Sequence, residues 1–225
     1  MKKFELTSET KINVFGKKLF RIKALISFGD VKAGEAGGWV EKEGNVNQSG
    51  NAWVSGNAEV FGNAWVSGNA WVSGNARVSD NAEVSGNAWV SGNARVSDNA
   101  EVSGNARVSD NAEVFGNAEV FGNAWVSGNA RVSGNARVSD NAEVFGNARV
   151  SDNADYTTIH GFGTQFRTTT FFRCKDKQVK VSCGCFYGTI PEFREQVKNT
   201  RKGKIAEEYL MIADLMEKHF AEEAK

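Results

Sequence analysis

The feature that most constrains this chain is a six-residue phrase, Asn-Ala-x-Val-Ser/Phe-Gly/Asp. It begins at Asn51 and recurs without insertion to Asn153, eighteen copies in all. Alanine holds the second place in every copy, from Ala52 to Ala154, and valine the fourth in seventeen, from Val54 to Val150. A fixed period of this kind decides the architecture before local propensity does.

A helix turns once in about 3.6 residues, so a six-residue pattern would smear its apolar positions around the cylinder. In an extended chain, residues two apart point the same way. Ala and Val of each copy therefore face inward, and the residue between them faces out. The Gly/Asp-Asn step that follows is corner chemistry, because these residues tolerate left-handed backbone. A strand with only two inward side chains cannot bury itself, so successive copies must coil and stack, each strand pairing with the one below. The expected fold is mainly β, a parallel β-helix spanning residues 44–157.

The phrase V-S-G-N-A-x, or V-S-D-N-A-x, resembles the hexapeptide repeat of left-handed β-helix proteins. That resemblance implies three sides per coil and left-handed winding. Eighteen copies then make about six coils, a stack of roughly 29 Å at about 4.8 Å per coil.

On three sides, residues eighteen apart lie directly above one another, and the outward third position sorts into strips. Face one carries Trp53, Trp71, Trp89, Arg107, Trp125 and Glu143. Face two carries Glu59, Arg77, Arg95, Glu113, Arg131 and Arg149; face three carries Trp65, Glu83, Glu101, Glu119, Arg137 and Asp155. Stacked tryptophans stabilise their own coil, and an exposed apolar strip also marks a contact surface. Trp53, Trp71, Trp89 and Trp125 are thus the candidate interaction face, for self-association first or for a protein partner. Glu83, Glu101 and Glu119 form an acidic strip whose mutual repulsion is screened by salt, or relieved by a basic partner or a cation.

The chain holds 27 basic and 27 acidic residues, unevenly spread. Residues 1–43 sum to +3, residues 44–155 to −6 and residues 156–225 to +3. No segment is basic enough to argue for nucleic acid. No run approaches the length of a membrane span, and Met1-Lys2-Lys3 is followed by no apolar stretch of signal-peptide length. Three cysteines do not suggest a disulfide framework, so a reducing cytoplasm is expected.

Residues 1–43 read as a β cap over the open end of the coils, with strands at Ile12–Phe15 and Leu19–Phe28 and a turn at Gly16. The stretch Asp30-Val31-Lys32-Ala33-Gly34-Glu35-Ala36-Gly37-Gly38-Trp39-Val40 resembles the YdcK-like bacterial hexapeptide-repeat proteins over residues 19–60. This resemblance implies architecture, not biochemistry.

Residues 158–225 read as a ββαα module. A hairpin about Asp176-Lys177 places Phe172, Cys174, Val179, Val181, Cys183 and Cys185 on one face. Thr189-Ile190-Pro191-Glu192 has capping-box spacing and opens a helix. A second helix over residues 204–224 buries Ile205, Tyr209, Ile212, Leu215, Met216 and Phe220. Val181 to Thr189, followed by Glu192-Phe193, resembles C-terminal modules of uncharacterised phage and prophage proteins and implies a mobile-element origin. Cys174, Cys183, Cys185 and His160 lack the paired spacing of a zinc site and read as reduced thiols, so neither metal nor cofactor is expected.

Many left-handed β-helix proteins are acyltransferases, and those resembling this repeat use a histidine of a coil or its loop as general base. Here no coil contains a histidine; His160 and His219 both lie beyond the array. The reading is therefore a non-enzymatic structural and interaction protein, with a homo-oligomer as one outcome. The alternative is an acyltransferase or small-molecule binder acting at a subunit interface.

Overall fold

The computed structural model describes residues 2–221. Seventeen hexads form two-residue strands, from β4 (Trp53–Val54) to β20 (Arg149–Val150), and each pairs in parallel with the strands one coil away. The result is a parallel β-solenoid of about six turns with three sheets for walls, of nine, six and five strands, the nine including three strands that precede the repeats. Every repeat valine and all but the last repeat alanine are at most 1 % exposed, so the lumen is one continuous Ala/Val core.

The corners follow the sequence logic. At Gly92 φ is +67°, and an added Cβ would stand 2.9 Å from the backbone nitrogen of Asp110 on the next coil. Aspartate replaces glycine at Asp98, where φ is +58°. There its carboxylate accepts the amide N–H of Gly116 at 2.9 Å, which offsets the strain of left-handed backbone. Beside each corner the asparagines form ladders, each side-chain amide donating to the Asn one coil further on, as Asn69 does to Asn87 at 2.9 Å.

At the N-terminal end, β1 (Phe4–Ile12), β2 (Lys18–Ala24) and β3 (Ala36–Val40) form an antiparallel meander. The first strand thus lies earlier than its apolar run suggests. Ile12, Val14 and Phe15 are the exposed hairpin tip instead, because the Asn13 side chain accepts the Phe15 and Lys17 amides and turns the chain. Trp39 and Val40 of β3 pair in parallel with Glu59 and Val60, and Val46 bridges Val66. Coil geometry therefore begins at Trp39, before the first complete hexad. Lys3 is buried over the open end, its Nζ donating to the Ala52 carbonyl at 2.8 Å.

The eighteenth hexad leaves the prism. Asn153–Asp155 is a short 3-10 turn, and Asp155 bends back to accept from the Ser151 and Asp152 amides rather than standing above Arg137 on face three. The chain then forms a four-stranded antiparallel sheet of β21 (Tyr156–Phe162), β22 (Arg167–Arg173), β23 (Val179–Cys183) and β24 (Phe186–Thr189).

Its hairpin register differs from the expected one by a residue. Phe171 pairs with Val181 and Arg173 with Val179, because Lys177 adopts φ +65° and the loop holds an extra residue. A one-residue slip exchanges the faces of a strand. Phe172 and Cys174 therefore close the end of the solenoid, whereas Phe171, Val181 and Cys183 pack with the helices. Both faces of this sheet are used.

Two helices cover the outer face: α1 (Ile190–Thr200) and α2 (Gly203–His219). Thr189 caps α1, its hydroxyl accepting from the Glu192 amide while the Glu192 carboxylate accepts the Thr189 N–H. Tyr209, Ile212, Met216 and Phe220 are buried, Ile205 is half-buried, and Leu215 is exposed on the outer side of α2. The helix ends at His219, and residues 222–224 of the expected helix lie outside the described residues.

Candidate interaction surface

Face one stacks in register as Trp53, Trp71, Trp89, Arg107, Trp125 and Glu143. Its two ends are covered. Trp53 is fully buried, wedged edge-on against Phe4 and Phe28 at 6.3 and 5.4 Å between ring centroids, with Gly37 pressed on its ring. The expectation that Trp53 belongs to an exposed strip is corrected: the cap needs an anchor, and this indole provides it. At the other end, Glu143 is half-buried and its carboxylate accepts from the Ser182 hydroxyl at 2.8 Å.

What remains open is the stretch Trp71, Trp89, Arg107, Trp125. Trp71 is half-buried, whereas Trp89 and Trp125 are 49 % and 40 % exposed. Each indole N–H donates to a serine hydroxyl on the preceding coil: Trp71 to Ser55 at 3.1 Å, Trp89 to Ser73 at 3.3 Å and Trp125 to Ser109 at 3.2 Å. These bonds fix the ring orientations and satisfy the only polar atom of each side chain. Trp71 and Trp89 lie 6.3 Å apart at an angle of 38°, and Trp125 meets Phe145 edge-on at 5.1 Å. Between Trp89 and Trp125, Arg107 interrupts the aromatic row. The three side chains with Ser91 and Ser109 line a depression of about 260 Å³. The serines were legible in principle, since each stands sixteen residues before its tryptophan.

On face three, Glu83, Glu101 and Glu119 are in register, as their spacing requires. Glu119 is neutralised by Arg137 at 3.0 Å, whose guanidinium also lies over Phe121 at 5.3 Å. Glu83 and Glu101 are exposed and have no ion pair among the described residues. Face two interleaves its charges: Glu113 forms an ion pair with Arg131 at 2.8 Å and stands 3.7 Å from Arg95.

The three thiols are dispersed. Cys174 is buried beneath the sheet, where burial pushes its pKa up to about 11, while Cys183 lies on the helix side and Cys185 is exposed at a turn. His160 is exposed, its Nδ1 3.2 Å from the Thr168 hydroxyl, and the His219 ring packs on Phe220. Among the described residues no group of three or more His, Cys, Asp or Glu side chains is placed to hold a metal, and no helix is long and apolar enough to cross a membrane.

The repeats match the family described as YdcK Beta solenoid repeat over residues 76–92 and 124–144. No match was found among curated proteins. Together with the coiled architecture, the family match makes the chain a β-solenoid repeat protein similar to the YdcK type.

Proposed function

We propose that this solenoid is a non-enzymatic interaction protein of the reducing cytoplasm, a rigid rod that associates with a second copy through Trp71, Trp89, Arg107 and Trp125. The observation that supports this reading most directly is the exposure of Trp89 and Trp125 on a sheet that holds both indoles by serine hydrogen bonds. Rings already fixed in one orientation lose little freedom on docking, and tryptophan and arginine are the residues that most often dominate protein contacts. In a paired arrangement the Arg107 guanidinium has indole faces on either side to receive it.

The C-terminal module supplies the second element of the proposal. It is joined to the rod through Phe172, Cys174 and Ser182, so its orientation relative to the tryptophan strip is fixed. We assign it the more specific recognition role. Its likeness to modules of phage and prophage proteins supports a mobile-element origin.

Light scattering on the eluting protein tests the association. The wild type is expected as a multimer and Trp89→Ala/Trp125→Ala as a monomer of unchanged fold. A wild type that stays monomeric at every concentration removes self-association. Thermal stabilisation of the full chain by acyl-CoA would instead favour the acyltransferase reading, because a ligand that binds only the folded state raises apparent stability.

A further inference from the structure

The C-terminal module contains a cavity of about 310 Å³ that the tryptophan strip does not involve. Gly163, Thr164, Arg167, Cys183, Arg201 and Tyr209 line it. They come from the β21–β22 turn, the end of β23, the α1–α2 joint and α2, so four separate parts of the module converge there.

Its charge is uncompensated in a way that sets it apart. Of the eleven arginines in the chain, eight carry an ion pair, a carbonyl bond or an aromatic face. Arg107, Arg167 and Arg201 have none among the described residues, and two of these three line this one cavity. No carboxylate is present in its wall. Arg201 ends α1, where a cation is favoured by the helix dipole, which accounts for one positive charge at the joint but not for two.

Glycine backbone lies against two of these groups. Gly184, at φ +61°, lies against the Arg167 guanidinium, where an added Cβ would stand 2.3 Å from Nη1. Gly163 does the same for Tyr209, with an added Cβ 2.5 Å from the hydroxyl. Tyr209 is buried, and its hydroxyl donates to the Phe162 carbonyl at 3.3 Å while bordering the cavity. The Cys183 thiol accepts from Thr169 at 3.1 Å.

We propose that this cavity binds an oxyanion, a phosphate or carboxylate group carried on a small molecule, between the guanidinium groups of Arg167 and Arg201 with the Tyr209 hydroxyl beside it. Two like charges brought to one hollow without a counterion repel each other, and a bound anion relieves that repulsion. The planar guanidinium fork matches the oxygens of phosphate and carboxylate.

Calorimetric titration of the full chain with inorganic phosphate, and separately with succinate, at constant ionic strength in sodium chloride tests this. Saturable binding of either anion is expected, with Kd raised at least tenfold in Arg167→Ala and in Arg201→Ala and unchanged in Arg95→Ala, on face two of the rod. Binding of phosphate alone identifies a phosphoryl group, and binding of succinate alone a carboxylate. Should Arg167→Ala fail to fold, Arg167→Lys keeps the charge and loses the fork, and a weaker but measurable Kd is expected. As an independent readout, the bound anion slows alkylation of Cys183 several-fold and leaves Cys185 unchanged. No saturable binding of either anion, or variants that bind as the wild type does, would overturn the assignment.

Discussion

The side-chain amide of Asn75 donates to the carbonyl oxygen of Asn93 one coil further on, at 3.2 Å. Asn93 in turn donates to Asn111 at 3.1 Å, so a single asparagine in mid-ladder takes part in two bonds and Asn57, at the ladder's start, in one. Three such ladders run along the corners and tie each coil to the next outside the Ala/Val core. At about 0.5–1.5 kcal/mol for each hydrogen bond, Asn93→Ala is expected to cost about 1–2 kcal/mol and Asn57→Ala about half as much. Chemical denaturation of the two variants side by side measures the ratio. Equal losses would mean that the ladder adds nothing beyond corner conformation.

Two tryptophans of the same face should behave in opposite ways. Trp53 is fully enclosed by the cap, and replacing it with alanine leaves a cavity against Phe4 and Phe28. A loss of about 3–5 kcal/mol is expected, as for other large aromatic deletions in cores. Trp89 is half in solvent. Trp89→Ala is expected to cost about 1 kcal/mol or less in the monomer, within the range of a single exposed aromatic contact. Thermal unfolding of both variants decides the matter, and comparable losses would contradict the division of the face into an anchored end and an open middle.

These contrasts also mark what the sequence made legible. Register came directly from the period, since Trp71 above Trp89 and Glu83 above Glu101 follow from eighteen residues per coil. Exposure did not, because the phrase at Trp53 is the same as at Trp89, and only the fold of residues before the repeat determines which indole is covered. The hairpin failed for a local reason. The left-handed conformation of Lys177, a residue without strong preference for it, lengthens the loop by one and exchanges the faces of β23. Arg167, Arg201 and Tyr209 come together only through the packing of the C-terminal sheet and helices, and no spacing in the chain announces them.

The register of that hairpin has a chemical consequence for the thiols. Cys174 faces the solenoid core and burial pushes its pKa up to about 11, so at neutral pH it is a buried thiol rather than a thiolate. Cys185 is exposed. Under native conditions an alkylating reagent is expected to modify Cys185 within minutes, at the ordinary rate of an exposed thiol, and to reach Cys174 only at the rate of unfolding. Peptide mapping after timed quenching measures both. Equal rates would place Cys174 outside the core and restore the register expected from a two-residue turn.

The ammonium of Lys3 is buried across the open end of the first coil, between the Ala52 carbonyl and the Phe28 ring. Burial pushes its pKa down from 10.5 to about 8. The unfolded chain keeps this proton up to the ordinary value, so between these limits the unfolded state binds more protons and stability rises with pH. From pH 8 to about 9.5 the contribution of Lys3 is on the order of 2 kcal/mol, at about 1.4 kcal/mol for each pKa unit, and from about pH 9 it is opposed in part by Cys174, which keeps its proton in the folded chain up to about 11. Above about pH 10 the trend reverses, because burial raises the pKa of Tyr156, Tyr187 and Tyr209 and the folded chain then holds protons that the unfolded chain releases. Lys3→Met should remove the rising contribution and leave only the fall with pH that Cys174 and the tyrosines cause, whatever its effect on absolute stability. Urea midpoints at pH 8 and 9.5 compare the two proteins, and a pH dependence that is the same in both would assign the effect to another group.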